Sequence, residues 1–264
     1  MTWVKTRAAA ARNMIDRDPT GWPMNDKERV LKLVRGALEH ERRINLHRFP
    51  LRIDLADGAV VLEGEVESVA AKKLALEYAA AVEGIRGVVD RLRITPAEPR
   101  GDGAIRDALG TFLLDTPELR NCTLRTRRRG RPETLRQADG QGGEIEFEVN
   151  DGVIVLEGHV PSLSHLRLAG VLAWWTPGCR DAVNALEVVP PERDGDDEVV
   201  EALHLVLEMD PLVPHPENIR ASCANYVVTL EGWVRSESER RRAELDAWAL
   251  FGVDRVVNRL EISA

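Results

Sequence analysis

Val61-Leu62-Glu63-Gly64-Glu65-Val66 recurs as Val155-Leu156-Glu157-Gly158-His159-Val160 and again as Thr229-Leu230-Glu231-Gly232-Trp233-Val234. The agreement runs on behind each copy. A Ser stands four places after the glycine (Ser68, Ser162, Ser236), and a second glycine stands twenty places after it (Gly84, Gly178, Gly252). A branched apolar residue follows at twenty-five (Val89, Val183, Val257), Asp or Asn at twenty-six (Asp90, Asn184, Asn258) and Leu at twenty-eight (Leu92, Leu186, Leu260). Three copies in one register are three repeats of one structural unit.

The first copy shows what that unit is. Leu51-Arg52-Ile53-Asp54-Leu55 alternates apolar and polar residues, as a half-buried strand does. Asp57-Gly58 is the favoured pair for a two-residue hairpin turn, whose central positions need positive φ. Ala59 to Val66 is the returning strand, with Gly64 at a bend or a close backbone approach. Ser68 is placed to N-cap a helix of about fifteen residues, with Gly84 as its left-handed cap. Val88 to Ile94 forms the last strand. Ahead of the hairpin, Asp26 reads as an N-cap, and Val30, Leu31, Leu33, Val34, Ala37 and Leu38 recur at helical spacing.

The expected fold is therefore α+β: three tandem αββαβ modules, each a three-stranded mixed sheet with two helices on one face. Their expected spans are 26–96, 102–189 and 196–264, after an N-terminal arm at 1–25. Pro-rich linkers, Thr95 to Gly103 and Pro190 to Asp196, separate them. The second helices carry paired alanines four residues apart (Ala75 and Ala79, Ala169 and Ala173, Ala243 and Ala247), so one small face lies close to the sheet. Each repeated Glu is out of phase with its Leu and is expected on the solvated sheet face. Asp90, Asn184 and Asn258 fall in phase with the apolar face, where a short polar side chain is expected to bond a nearby turn or helix end. Asn225-Tyr226 replaces Asp-Gly in the third module and predicts a strained or longer turn, since Tyr tolerates positive φ poorly.

The copies differ in charge. Residues 26–95 hold 13 basic and 12 acidic side chains, 100–189 hold 11 and 13, and 192–264 hold 8 and 16. A net charge of -8 argues against nucleic acid as a partner, since phosphate neutralisation needs a basic surface. The middle module alone has an insertion, roughly 120–143, with seven arginines against Glu133 and Asp139. Arg125, Arg127, Arg128, Arg129 and Arg131 form the candidate binding set, because guanidinium groups take phosphate or carboxylate in bidentate fashion. The insertion reads either as a solvated loop, docked on the acidic third module or not, or as an anionic-lipid contact. Trp174 and Trp248 occupy equivalent helix positions and read as core or intermodule packing, while Trp175 and Trp233 are candidates for an interface.

The repeated Leu-Glu-Gly-x-Val element, the Ser-capped helix and the ending Gly252-Val253-Asp254-Arg255-Val256-Val257-Asn258-Arg259-Leu260 together resemble the BON domain, named from bacterial osmotic-stress and nodulation proteins. Three copies cover nearly the whole chain. The resemblance implies the αββαβ fold and binding rather than catalysis: phospholipid membranes, protein partners in a stress response, or a potassium ion, as in one cytoplasmic relative. Similar small α/β modules also build rings in secretion assemblies, so a scaffold is a further reading.

Enzyme chemistry has no sequence support. Neither a phosphate-binding GxxxxGK[ST] nor a GxSxG nor an HExxH occurs, and no cofactor is implied. His159 and His165 lack a Cys or carboxylate at ligand spacing. Cys122, Cys179 and Cys223 fit no disulfide framework, and Cys179 reads as a small core residue. The N-terminal apolar run is too short for a secretory signal, which makes a cytoplasmic location, with or without membrane contact, the expectation.

Overall fold

A computed structural model describes residues 24–128, 130–139 and 142–263. The N-terminal arm expected at 1–25 falls almost wholly outside them. The chain forms two compact units, one ending at Thr95 and one beginning at Pro96.

The first unit runs α1 (Met24–His40), β1 (Arg52–Ala56), β2 (Ala59–Val66), α2 (Val69–Ala80) and β3 (Gly87–Ile94). Strand β2 is central, antiparallel to β1 and parallel to β3. Parallel pairing needs a crossover, and α2 supplies it. The face of the sheet holding Val60, Leu62 and Leu92 is buried under Val34, Leu38, Leu74, Ala75 and Ala79 of the two helices. Both alanines are fully buried, as their spacing predicts.

The second unit holds the other two modules. One comprises α3 (Asp102–Asp115), β4 (Thr123–Arg128), β5 (Arg131–Arg136), β6 (Glu144–Asn150), β7 (Val153–Val160), α4 (Leu163–Trp175) and β8 (Asp181–Val188). The other comprises α5 (Asp196–Met209), β9 (Ile219–Ala224), β10 (Val227–Val234), α6 (Glu237–Ala249) and β11 (Arg255–Ile262). The third sheet, ordered β11-β10-β9, repeats the first. The middle sheet has five strands, ordered β5-β4-β6-β7-β8. The arginine insertion is thus a hairpin rather than a loop. Its sequence alternates: Leu124 and Thr126 are buried toward the helices while Arg125 and Arg127 face outward. That period-two signal lies beneath the charge that made the stretch read as solvated.

Helix α4 explains why these two modules form one unit. Nine of its residues are buried, from Leu163 to Ala173. One side lies on its own sheet, and the rest packs on α3 of its own module and on α5 and α6 of the next. A helix apolar nearly all round has to be covered on both sides.

The repeated positions do defined work. Ser68, Ser162 and Ser236 each accept from a backbone N–H three residues on, Ala71 at 3.2 Å, His165 at 3.3 Å and Glu239 at 3.2 Å. Such a cap contributes about 1 kcal/mol. The helices are shorter than expected and close at Ala80, Trp175 and Ala249. Gly84, Gly178 and Gly252, at φ near +90°, sit in the turn beyond rather than at the cap itself. The third hairpin keeps the two-residue turn, with Asn225 at φ 51° and Tyr226 at φ 60°, so the substitution strains the turn without lengthening it. The Asp196 carboxylate holds it by accepting from Asn225 N at 2.8 Å and Tyr226 N at 2.9 Å. Asp102 does the same for the Asp151-Gly152 turn. Those donors hold the Asp196 carboxyl below its ordinary range.

Gly158 and Gly232 are required by close approach. A Cβ at Gly158 would lie 2.2 Å from Glu144 O, and one at Gly232 would lie 2.0 Å from Asn218 O. Gly232→Ala is expected to destabilise the second unit by about 2–3 kcal/mol, from the clash together with its positive φ. Gly36→Ala, in the middle of α1 with open space around it, is expected to stabilise the first unit by about 0.5–1 kcal/mol. Urea unfolding of each variant checks both signs.

Candidate functional site: the arginine hairpin

Strands β4 and β5 pair antiparallel with Arg128 opposite Arg131, and β4 joins β6 in parallel. The arginines divide by what they touch. Arg125 donates to Glu144 Oε1 at 2.7 Å, and Arg127 donates from Nε to Glu146 Oε1. Both ion pairs lie within the middle module, not against the third. Arg136 donates to three backbone carbonyls, Cys122 O at 3.2 Å, Leu114 O at 3.2 Å and Leu119 O, and so ties β5 to the end of α3. Gly110 of α3 leaves room for Leu135, whose Cδ1 would be 3.2 Å from a Cβ there.

Arg128 and Arg131 are the exception. Both are exposed, and neither has an ion-pair partner among the described residues. Like charges directly opposite in a sheet are destabilising, so folding does not account for the pair. Arg129, the fifth candidate, lies outside the described residues.

The repeated glutamates face solvent, as their phase predicts. Glu63 lies between Arg52 at 4.0 Å and Arg91 at 3.8 Å, contributed by the strands on either side. These three residues, with Asp54, Ala56 and Val61, line a shallow hollow of about 200 Å³ on the open face of the first sheet. Glu231 pairs with Arg259 at 3.1 Å and stands in register with Arg220. In the middle sheet Glu157 stands beside Glu146 and Ala185 instead. Its open face lacks the flanking arginines, and the hairpin supplies them one strand further out.

Of the interface candidates, Trp233 is 42% exposed on the open face of the third sheet. Trp175 is half-buried between the second and third modules, where its Nε1 donates to Asp246 Oδ1 at 3.0 Å and the Arg242 guanidinium lies 5.1 Å from its ring centre. Trp248 is fully buried, while Trp174, its counterpart, is half-buried.

Asp90, Asn184 and Asn258 join the last strand to the second helix. Each Oδ1 accepts the backbone N–H two residues on, at Leu92, Leu186 and Leu260. Asn184 Nδ2 donates to Leu166 O at 2.7 Å, and Asn258 Nδ2 donates to Arg240 O at 3.1 Å. An aspartate cannot donate. In the first module Lys72, the counterpart of Leu166 and Arg240, reaches Asp90 Oδ2 at 2.8 Å and Leu92 O at 2.7 Å from a buried position. Lys72 was not singled out from sequence, although Asp in place of Asn at position 90 of the following strand was a visible signal.

All three cysteines are free, and Cys179 is buried as expected. Burial and the Asp196 carboxylate push the Cys223 thiol up to about 12, leaving it a poor nucleophile. No group of three or more potential metal ligands occurs among the described residues, and no helix among them is long and apolar enough to cross a membrane.

Three αββαβ modules that share one frame and differ chiefly in surface charge define a class of tandem small α+β domains. The family model for the BON domain matches residues 26–96, 133–190 and 195–264, and the chain belongs to the BON domain family. BON domains are non-catalytic and in general bind phospholipid or protein. The middle match begins inside β5, because the hairpin separates α3 from the rest of its module. No curated protein matches the chain. Among solved structures, it is similar to the C-terminal domain of CdsD, the structural protein of the type III secretion system of Chlamydia trachomatis. That match has 18% identity over 87% of this chain and 96% of that one, with a TM-score of 0.22. A second CdsD structure gives 16% identity over 89% and 92%, with a TM-score of 0.23.

The Lys72–Asp90 pair is open to a direct exchange. Lys72→Leu alone strands a carboxylate and is expected to destabilise the first unit by about 2–3 kcal/mol. Lys72→Leu with Asp90→Asn installs the arrangement of the second module and is expected to recover most of that loss in thermal unfolding.

Proposed function

We propose that this chain is a non-enzymatic binding protein whose arginine hairpin contacts anionic phospholipid surfaces. The observation behind this reading is the facing pair Arg128 and Arg131, exposed at the hairpin end and without a carboxylate partner among the described residues. Arg125 and Arg127 already have Glu144 and Glu146, so they shape the hairpin and add little free charge. The family's phospholipid or protein binding supports the same direction. A cytoplasmic protein peripheral to the membrane is the setting this reading implies.

Each basic side chain near an anionic bilayer contributes about 1 kcal/mol. Arg128→Ser with Arg131→Ser should therefore weaken sedimentation with phosphatidylserine-containing vesicles about thirtyfold, leave the weak background on phosphatidylcholine alone unchanged, and flatten the salt dependence. Arg125→Ser with Arg127→Ser should have the smaller effect. Undiminished binding by the Arg128/Arg131 variant removes the hairpin from the mechanism.

A further inference from the structure

Helix α4 of the middle module meets α5 and α6 of the third across a contact that contains two buried carboxyl groups and one guanidinium. The Asp246 side chain is fully buried and that of Asp210 is 1% exposed. Arg242, on α6 one turn before Asp246, donates from Nε to Asp210 Oδ2 and lies 3.4 Å from Asp246 Oδ1. The same Asp246 oxygen accepts from Trp175 Nε1 of α4 at 3.0 Å. Asp210 Oδ1 accepts from Leu212 N at 2.9 Å. Every carboxylate oxygen here has a donor except one, Asp246 Oδ2, which is buried with no partner.

We propose that Asp246 carries a proton on Oδ2 and donates it to Asp210, and that this shared proton is a latch holding the middle module's helix α4 against α6 of the third module. Two buried carboxylates beside a single cation leave one negative charge without compensation, and a proton removes that charge while giving the orphan oxygen a partner. The charged or titratable groups facing Asp246 are Arg242 from its own helix and Asp210 from the end of α5; α4 contributes the neutral Trp175 indole. Burial raises the Asp246 carboxyl to about 8, assisted by Asp210 and opposed by Arg242.

The sign follows from linkage. The folded state holds a proton that the unfolded chain releases near the ordinary carboxylate range. The stabilisation is complete below that range and is lost as pH rises toward about 8. Above it Asp246 ionises, the α4–α6 contact weakens, and Trp175 loses its anchor. Mild alkali therefore loosens the junction inside the second unit.

The test uses the full chain. In wild type, the unfolding equilibrium of the second unit should shift up to about tenfold per pH unit across the window from about pH 5 to 8, relative to Asp246→Asn. Amide exchange in 163–175 and 237–249, corrected for intrinsic rate, should accelerate about tenfold or more between pH 7 and 9 in wild type, one proton's linkage per pH unit, and hold steady in Asp246→Asn. Asp210→Asn removes the second carboxylate and should move the transition to lower pH, which decides the matter if Asp246→Asn does not fold. A wild-type profile flat across this range, or one that Asp210→Asn leaves unmoved, overturns the latch.

Discussion

At Gly158 and Gly232 of the repeated triplets two backbone segments meet more closely than any side chain permits, and Gly64 sits in a looser form of the same approach. At Gly158 the facing atom is Glu144 O, at Gly232 it is Asn218 O, and at Gly64 the neighbours are Leu51 and Pro50 O. The approach sets the end of the central strand against the start of the strand before it. The Ser cap follows four residues later, so the crossover helix starts from a fixed point and returns the chain parallel to the same strand. The buried alanines then let that helix lie low on the sheet. Remove the glycine and the hairpin register, the cap and the crossover lose their common origin.

Within this frame the three copies solve one problem by different means. The tie between last strand and second helix is an amide in two modules and an ammonium–carboxylate pair in the first. The charged row across the open face is Arg-Glu-Arg in the outer sheets and Arg-Glu-Glu in the middle one. The mechanical part of each module is repeated, and the surface chemistry is where the copies diverge.

Most of the frame was legible from sequence because it rests on local rules. Alternation marked the strands, Asp-Gly marked two turns, and Ser marked three helix starts. What escaped depended on partners distant in sequence. The hairpin was hidden because Arg125 and Arg127 meet glutamates 19 residues away, so charge that looked free was paired. Arg167 is fully buried and bonded to Phe251 O at 3.1 Å and Asp194 Oδ1 at 2.5 Å, in segments beyond its own module that its helix alone does not point to. The carboxyl pair at the α4–α6 contact was invisible for the same reason. Of the four candidate arginines among the described residues, Arg128 and Arg131 kept the free charge that suggested them.

The strand added to the middle sheet also bears on how a chain of near-identical modules avoids pairing with itself. Repeats with matching strands can exchange partners between modules or between molecules, and the outermost strand of each sheet is where such exchange begins. In the middle module that position belongs to β5, whose Pro132 has no backbone donor and whose neighbours carry charge. The insertion therefore gives the middle module one edge unlike those of its siblings and leaves β8, the counterpart of β3 and β11, as the one edge that still matches theirs.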